Sequence, residues 1–119
     1  MTLKECYSII GDYNDVAKRL PLERMITKFM LKFLDDKSYE KLENSIANAD
    51  YKEAFMAAHT LKGVCQNLSF TKLYEPSHVM TETLRNENPD MVKVAELLEK
   101  IRENYRLTTE TIIKFRDSQ

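Results

Sequence analysis

Apolar residues recur at steps of three and four along almost the whole chain, which is the repeat of one helix face and the feature that most constrains its fold. Only two Gly and three Pro interrupt 119 residues, so little in the sequence opposes long helices. No internal repeat, low-complexity tract or linker divides the chain, and its length suits one domain with one core over residues 1–119.

The helix signals fall in series. Thr2 with Glu5 makes a capping box for a short helix that Gly11 can end, and Asp12 can cap a second one reaching Leu20. Pro21 is expected to open a stronger helix with Leu22, Met25, Ile26, Phe29, Met30, Phe33 and Leu34 on one face. The Asp35-Asp36 pair closes it poorly, because carboxylates oppose the C-terminal dipole. Ser38 is expected to cap the next helix, to about Ala49. A second capping box, Asp50 with Glu53, starts a helix from Tyr51 to about Leu68. Thr71 then reads as a cap, and Pro76 either kinks the following helix or delays its start before it runs to about Glu87. Asn88 as cap and Pro89 at the first helical position begin the last helix, which reaches about Arg116. Its expected inner face is Met91, Val94, Leu98, Ile101, Tyr105, Ile112 and Phe115. Short connections between one-striped helices predict an all-α, up-and-down antiparallel four-helix bundle with short accessory N-terminal helices.

Composition removes several function classes. The 43% hydrophobic and 31% charged residues describe a globular protein, and a net charge of −1 with mixed signs offers no basic surface for nucleic acid or anionic membrane. No apolar run is long enough for a membrane span, and the Met1–Glu5 start lacks a signal core, so the expected location is the cytoplasm. Cys6 and Cys65 are too few for a disulfide framework and lack metal spacing, as does His78; no Gly-rich phosphate loop is present.

The Tyr51–Leu68 helix carries the chemistry. On a wheel with Leu61 at zero, Ala54, Ala57, Ala58, Val64, Cys65 and Leu68 lie within roughly 60° of it, and His59 falls at roughly 160°. The imidazole is therefore expected to face solvent. Gly63, at about 200°, stands one turn after His59 on the same face, where a side chain would crowd the ring; a mid-helix Gly costs ~1 kcal/mol relative to Ala. Lys62, at about 100°, can swing toward negative charge at the ring, although a solvated lysine has the same spacing. Gln66, at about 140°, adds neutral donors or is ordinary surface polarity. Phe55 and Met56 flank His59 outside the core arc as candidate partner contacts, and Phe55 alternatively packs on a neighbouring helix edge. An exposed, uncrowded imidazole beside a cation meets the needs of a nucleophile that carries phosphate.

The run Ala58-His59-Thr60-Leu61-Lys62-Gly63-Val64-Cys65-Gln66-Asn67-Leu68 resembles the signature of histidine-phosphotransfer (HPt) domains: His, any residue, Leu, Lys, Gly, four residues, Leu. Gly11-Asp12, Arg19-Leu20 and Phe33-Leu34-Asp35 extend the likeness over roughly residues 11 to 90, and the last helix matches in length and pattern. Ser69 replaces the family's usual Gly, and Pro76 is unusual in its helix. The resemblance implies a four-helix bundle whose His59 is phosphorylated at Nε2 by a receiver-domain aspartyl phosphate and passes the group to another receiver. It makes Lys62 the phosphate-facing lysine and Gly63 the residue that leaves room for the receiver. It further implies a monomer without a cofactor or ATP-dependent kinase activity, with Mg²⁺ held in the receiver's acidic pocket. The implied partners are response-regulator receiver domains and a hybrid sensor histidine kinase. Two alternatives stand beside this reading: an HPt-fold interaction module without phosphate, which intact His59, Lys62 and Gly63 disfavour, and a segment of a larger hybrid or chemotaxis-type kinase. Met1 and the polar Asp117-Ser118-Gln119 end suit a free-standing protein.

Overall fold

A computed structural model describes all residues, Met1–Gln119. It contains helices and no strand: α1 (Leu3–Ile10), α2 (Tyr13–Arg19), α3 (Glu23–Lys32), a 3₁₀ turn (Phe33–Asp35), α4 (Ser38–Ala47), α5 (Tyr51–Asn67), α6 (Thr71–Leu84) and α7 (Met91–Asp117). The 27 residues of α7 span about 40 Å at 1.5 Å per residue and set the 44 Å long dimension of the molecule. α5 lies between α4 and α6, α6 also packs on α7, and α1 and α3 cover part of α7. One contiguous core of 24 buried apolar residues joins all seven helices.

Local signals account for most helix ends. The Thr2–Glu5 capping box forms with both reciprocal bonds, and the Asp12 side chain accepts from the Asp15 N–H. Asp50 caps α5 by accepting from the Glu53 N–H, but its own N–H donates to the Ser45 carbonyl at 2.9 Å. That bond goes to the preceding turn, so Asp50 caps α5 through its side chain alone.

Several expectations are corrected. Pro21 does not open α3: Leu22 takes the cap position with no side-chain bond and is 51% exposed, and the buried face narrows to Ile26, Met30 and Phe33. Ser38 is the first residue of α4, not its cap, and the capping oxygen comes from Asp36, whose Oδ1 accepts from the Ser38 N–H at 2.9 Å and from its hydroxyl. Thr71 is likewise the first residue of α6, which runs through Pro76 to Leu84 without a delayed start. Asp90, two residues beyond the expected cap, closes the N-terminus of α7 by accepting from the N–H groups of Val92 and Lys93. On α7, Met91 is exposed, and Leu97, Thr108 and Thr111 join the inner face.

The buried threonines cost little, because each hydroxyl donates to the carbonyl four residues earlier: Thr108 to Asn104 and Thr111 to Leu107, both at 2.7 Å. The closest backbone approach joins the α1–α2 connection to the α5–α6 connection. The Asp12 N–H donates to the Ser69 carbonyl at 3.0 Å, and a Cβ on Gly11 would stand 2.1 Å from that same oxygen. Backbone on both sides leaves no flexible group to yield. Gly11→Ala should therefore cost about 2–3 kcal/mol through overpacking, read as a lowered denaturant midpoint at an unchanged slope; a loss under about 0.5 kcal/mol, the level of ordinary surface changes, would show that this junction can shift.

Candidate functional site

The rotation of α5 about its own axis is fixed by what it buries: Ala54, Ala57, Ala58, Leu61 and Cys65, with Leu68 just beyond its end. Small residues in its first half allow close approach of α4 and α6. Val64, expected within the stripe, is only partly buried at its edge. Burial pushes the Cys65 thiol far above its usual range, which leaves it an inert core residue.

The opposite face is open. His59 is exposed near the middle of α5, and none of the side-chain hydrogen bonds engages its ring. Phe55, one turn earlier and half-buried, places its ring centroid 6.1 Å from that of His59, tilted by 43°. Met56 stands on the other flank, 55% exposed. The Thr60 hydroxyl turns back to the Met56 carbonyl at 3.0 Å and stays clear of the imidazole. Gly63 has nothing within 4 Å of the position a Cβ would take. Its missing side chain is thus not required by packing against another helix. Lys62 is half-buried and forms no ion pair, and Gln66 is exposed. The structure brings all six sequence-predicted residues, Phe55, Met56, His59, Lys62, Gly63 and Gln66, to the accessible side of one helix.

A family model, the Hpt domain, matches residues 35–110. The chain belongs to the Hpt domain family. The match begins after the first three helices and includes most of α7, so Gly11-Asp12 and Arg19-Leu20 lie outside it. No curated protein and no solved structure matches the chain. As an Hpt domain it is a histidine-phosphotransfer module of two-component signalling, a class that carries phosphoryl groups and works with response-regulator receiver domains. No helix is long and apolar enough to cross a membrane.

Two features near this face had no clear signal in the sequence. At the C-terminal end of α5, Arg19 from α2 donates to the Gln66 carbonyl at 2.8 Å and the Asn67 carbonyl at 3.2 Å, placing a cation on the negative end of the helix dipole. Asp15 pairs with Arg19 at 2.8 Å and accepts from the Ser69 hydroxyl at 2.7 Å, while Arg19 also donates to that hydroxyl. The Asp15–Arg19 spacing of four is legible as a helix pair, but its target carbonyls lie 47 and 48 residues away. The second feature is Arg85, whose guanidinium lies 5.0 Å from the Phe55 ring centroid.

The Ser69 and Arg19 bonds hold the Asp15 carboxyl below its ordinary range. A depressed carboxyl contributes stability above its unfolded pKa, ~3.9, and loses that contribution as pH falls through the lower folded value. Asp15→Asn should flatten the acid limb of the stability profile below about pH 4 and leave its slope near pH 7 unchanged; parallel profiles for the two proteins would remove Asp15 from the linkage. Gly63→Ala should raise stability by up to ~1 kcal/mol, since the helix gains a better former in open space. A lower melting temperature for that variant would reveal packing at Gly63.

Proposed function

We propose that His59 is the phosphorylated nucleophile of a multistep phosphorelay, taking a phosphoryl group from one receiver aspartate and giving it to another. The observation that carries this reading is an accessible imidazole at mid-helix with an open glycine one turn on. The Nε2 lone pair attacks phosphorus of the aspartyl phosphate, a P–N bond forms as the acyl-phosphate P–O bond breaks, and the electron pair leaves with the aspartate carboxylate. The Nδ1 proton remains on the ring or passes to water. The reverse sequence delivers the group to the second receiver.

Lys62 offsets charge on the phosphoryl oxygens, Gly63 leaves space for the receiver, and Gln66 adds a neutral donor. Phe55 and Met56 are the apolar contacts on either side. Such transfer depends mainly on in-line positioning and charge stabilisation, so one nucleophile suffices when the receiver supplies Mg²⁺. The protein acts in the cytoplasm as a monomeric phosphocarrier, one domain over residues 1–119, loaded through a hybrid sensor histidine kinase. Within it α4 to α7 form the up-and-down four-helix bundle and α1 to α3 are accessory. Successive packing of α4 on α5, α5 on α6 and α6 on α7 supports that arrangement.

Mixing the protein with a phosphorylated receiver should yield an acid-labile, base-stable phosphoramidate mapped to His59, absent from folded His59→Gln. Lys62→Ala should slow transfer by about one to two orders of magnitude, at ~1.4 kcal/mol per tenfold, with little change in stability. Phosphate on His78, or retained in His59→Gln, would refute the assignment.

A further inference from the structure

Arg85 sits at the C-terminal cap of α6, and its side chain is held from two directions. Nε and Nη2 each approach a Glu82 carboxylate oxygen at 3.3 Å, and the guanidinium carbon lies over the Phe55 ring, 5.0 Å from its centroid. Yet the side chain remains 57% exposed. Phe55 in turn abuts His59, so two ring contacts connect a pre-oriented, accessible guanidinium to the imidazole. Beside it opens a surface recess of about 510 Å³ whose lining includes Tyr51, Phe55 and Leu84, the cations Lys52 and Arg85, and one carboxylate, Glu87.

Size and charge name an occupant. A standard protein interface covers about 800 Å² per partner, a disc of roughly 16 Å radius, so a partner centred on His59 covers Phe55 and Arg85 as well. A protein that presents an aspartyl phosphate with Mg²⁺ must carry carboxylates around its own site, because Mg²⁺ is held through carboxylates and phosphate oxygens. An arginine stacked on an aromatic ring loses little side-chain freedom when it binds a carboxylate, and its planar fork suits that group. We infer that Arg85 is a receiver-recognition residue, a cation held over Phe55 that meets an acidic side chain on the rim of the receiver. This rests on the receiver reading of His59.

Glu82 is then the counterweight. It neutralises Arg85 in the free protein, and the Arg85 guanidinium, with His78 and Lys62 adding to it, holds the Glu82 carboxyl below its usual range. Removing that carboxylate leaves the same surface more positive. The two halves of one ion pair thus act oppositely on receiver binding, whereas a merely structural pair would weaken binding whichever half is lost.

The test measures loss of phosphate from a phosphorylated receiver against increasing concentrations of the full protein, giving a half-saturating concentration and a saturating rate. In about 50 mM salt Arg85→Ala should raise the half-saturating concentration roughly five- to tenfold, with Arg85→Lys recovering part of it and Glu82→Gln lowering it about twofold. At about 500 mM salt the differences should shrink below about twofold, and saturating rates should match wild type throughout. Thermal melts establish that each variant is folded. Wild-type transfer with an unchanged half-saturating concentration for Arg85→Ala would overturn this inference alone, as would weakening by Glu82→Gln or a salt-independent effect. Absence of transfer by the wild-type protein from any receiver would overturn the phosphorelay reading and this inference with it.

Discussion

Burial of Ala54, Ala57, Ala58, Leu61 and Cys65 locks the rotation of α5, and the position of every group on its outer face follows from that lock. Turning the helix by one residue, roughly 100°, would carry Leu61 out of the core and bring the Lys62 ammonium toward it. Exposing one leucine costs about 2 kcal/mol, and burying an unpaired ammonium costs several more. The register is therefore held by apolar packing on one side and by the refusal of charge to enter on the other. His59, nearly opposite Leu61, is placed in solvent by the same forces. No contact on the outer face has to hold it there, which leaves that face free for a partner.

The far end of α5 is secured differently. Ser69 adopts φ 55°, in the left-handed region, which costs a residue with a side chain roughly 1–2 kcal/mol relative to its favoured conformation. Its surroundings offset that cost. The Ser69 hydroxyl joins Asp15 and Arg19, its carbonyl accepts from the Asp12 N–H, and the Tyr7 hydroxyl donates to the adjacent Leu68 carbonyl at 2.8 Å. Glycine would enter this conformation more easily but would forfeit the hydroxyl that ties α2 to the end of α5. The first two helices thus act on the helix that bears His59, although they lie outside the residues matched by the Hpt model.

Elsewhere the scaffold combines apolar packing with a few well-placed polar contacts. Arg102 on α7 reaches Glu43 on α4 through two bonds of 2.9 and 3.1 Å, and the nearby rings of Tyr39 and Tyr105 stack with centroids 4.0 Å apart. These contacts join α4, which packs on α5, to the long helix α7. They lie away from the Phe55 and Arg85 side, where the Glu82–Arg85 pair is about half exposed.

The helical class, the core stripe of α5 and the solvent-facing position of His59 were legible in the sequence, because each depends on the 3.6-residue repeat acting within one segment. Gly63 was legible for the same reason: a poor helix former stands out amid an unbroken periodic pattern, and open space surrounds the position its Cβ would take. Cap positions were less legible, since Asp36, Ser38, Asn88 and Asp90 all have suitable chemistry and neighbouring backbone geometry selects among them. The approach of Ser69 to Arg19 and Asp15 and the placement of Arg85 over Phe55 were decided only by tertiary structure. Ser69 lies 54 residues from Asp15 and 50 from Arg19, and Arg85 lies 30 from Phe55, and no local periodicity encodes which side chains meet when separate helices pack. The sequence by itself determined which face of α5 is dry and which is wet; the tertiary structure determined what stands beside the wet face, because that depends on distances between helices rather than on angles within one.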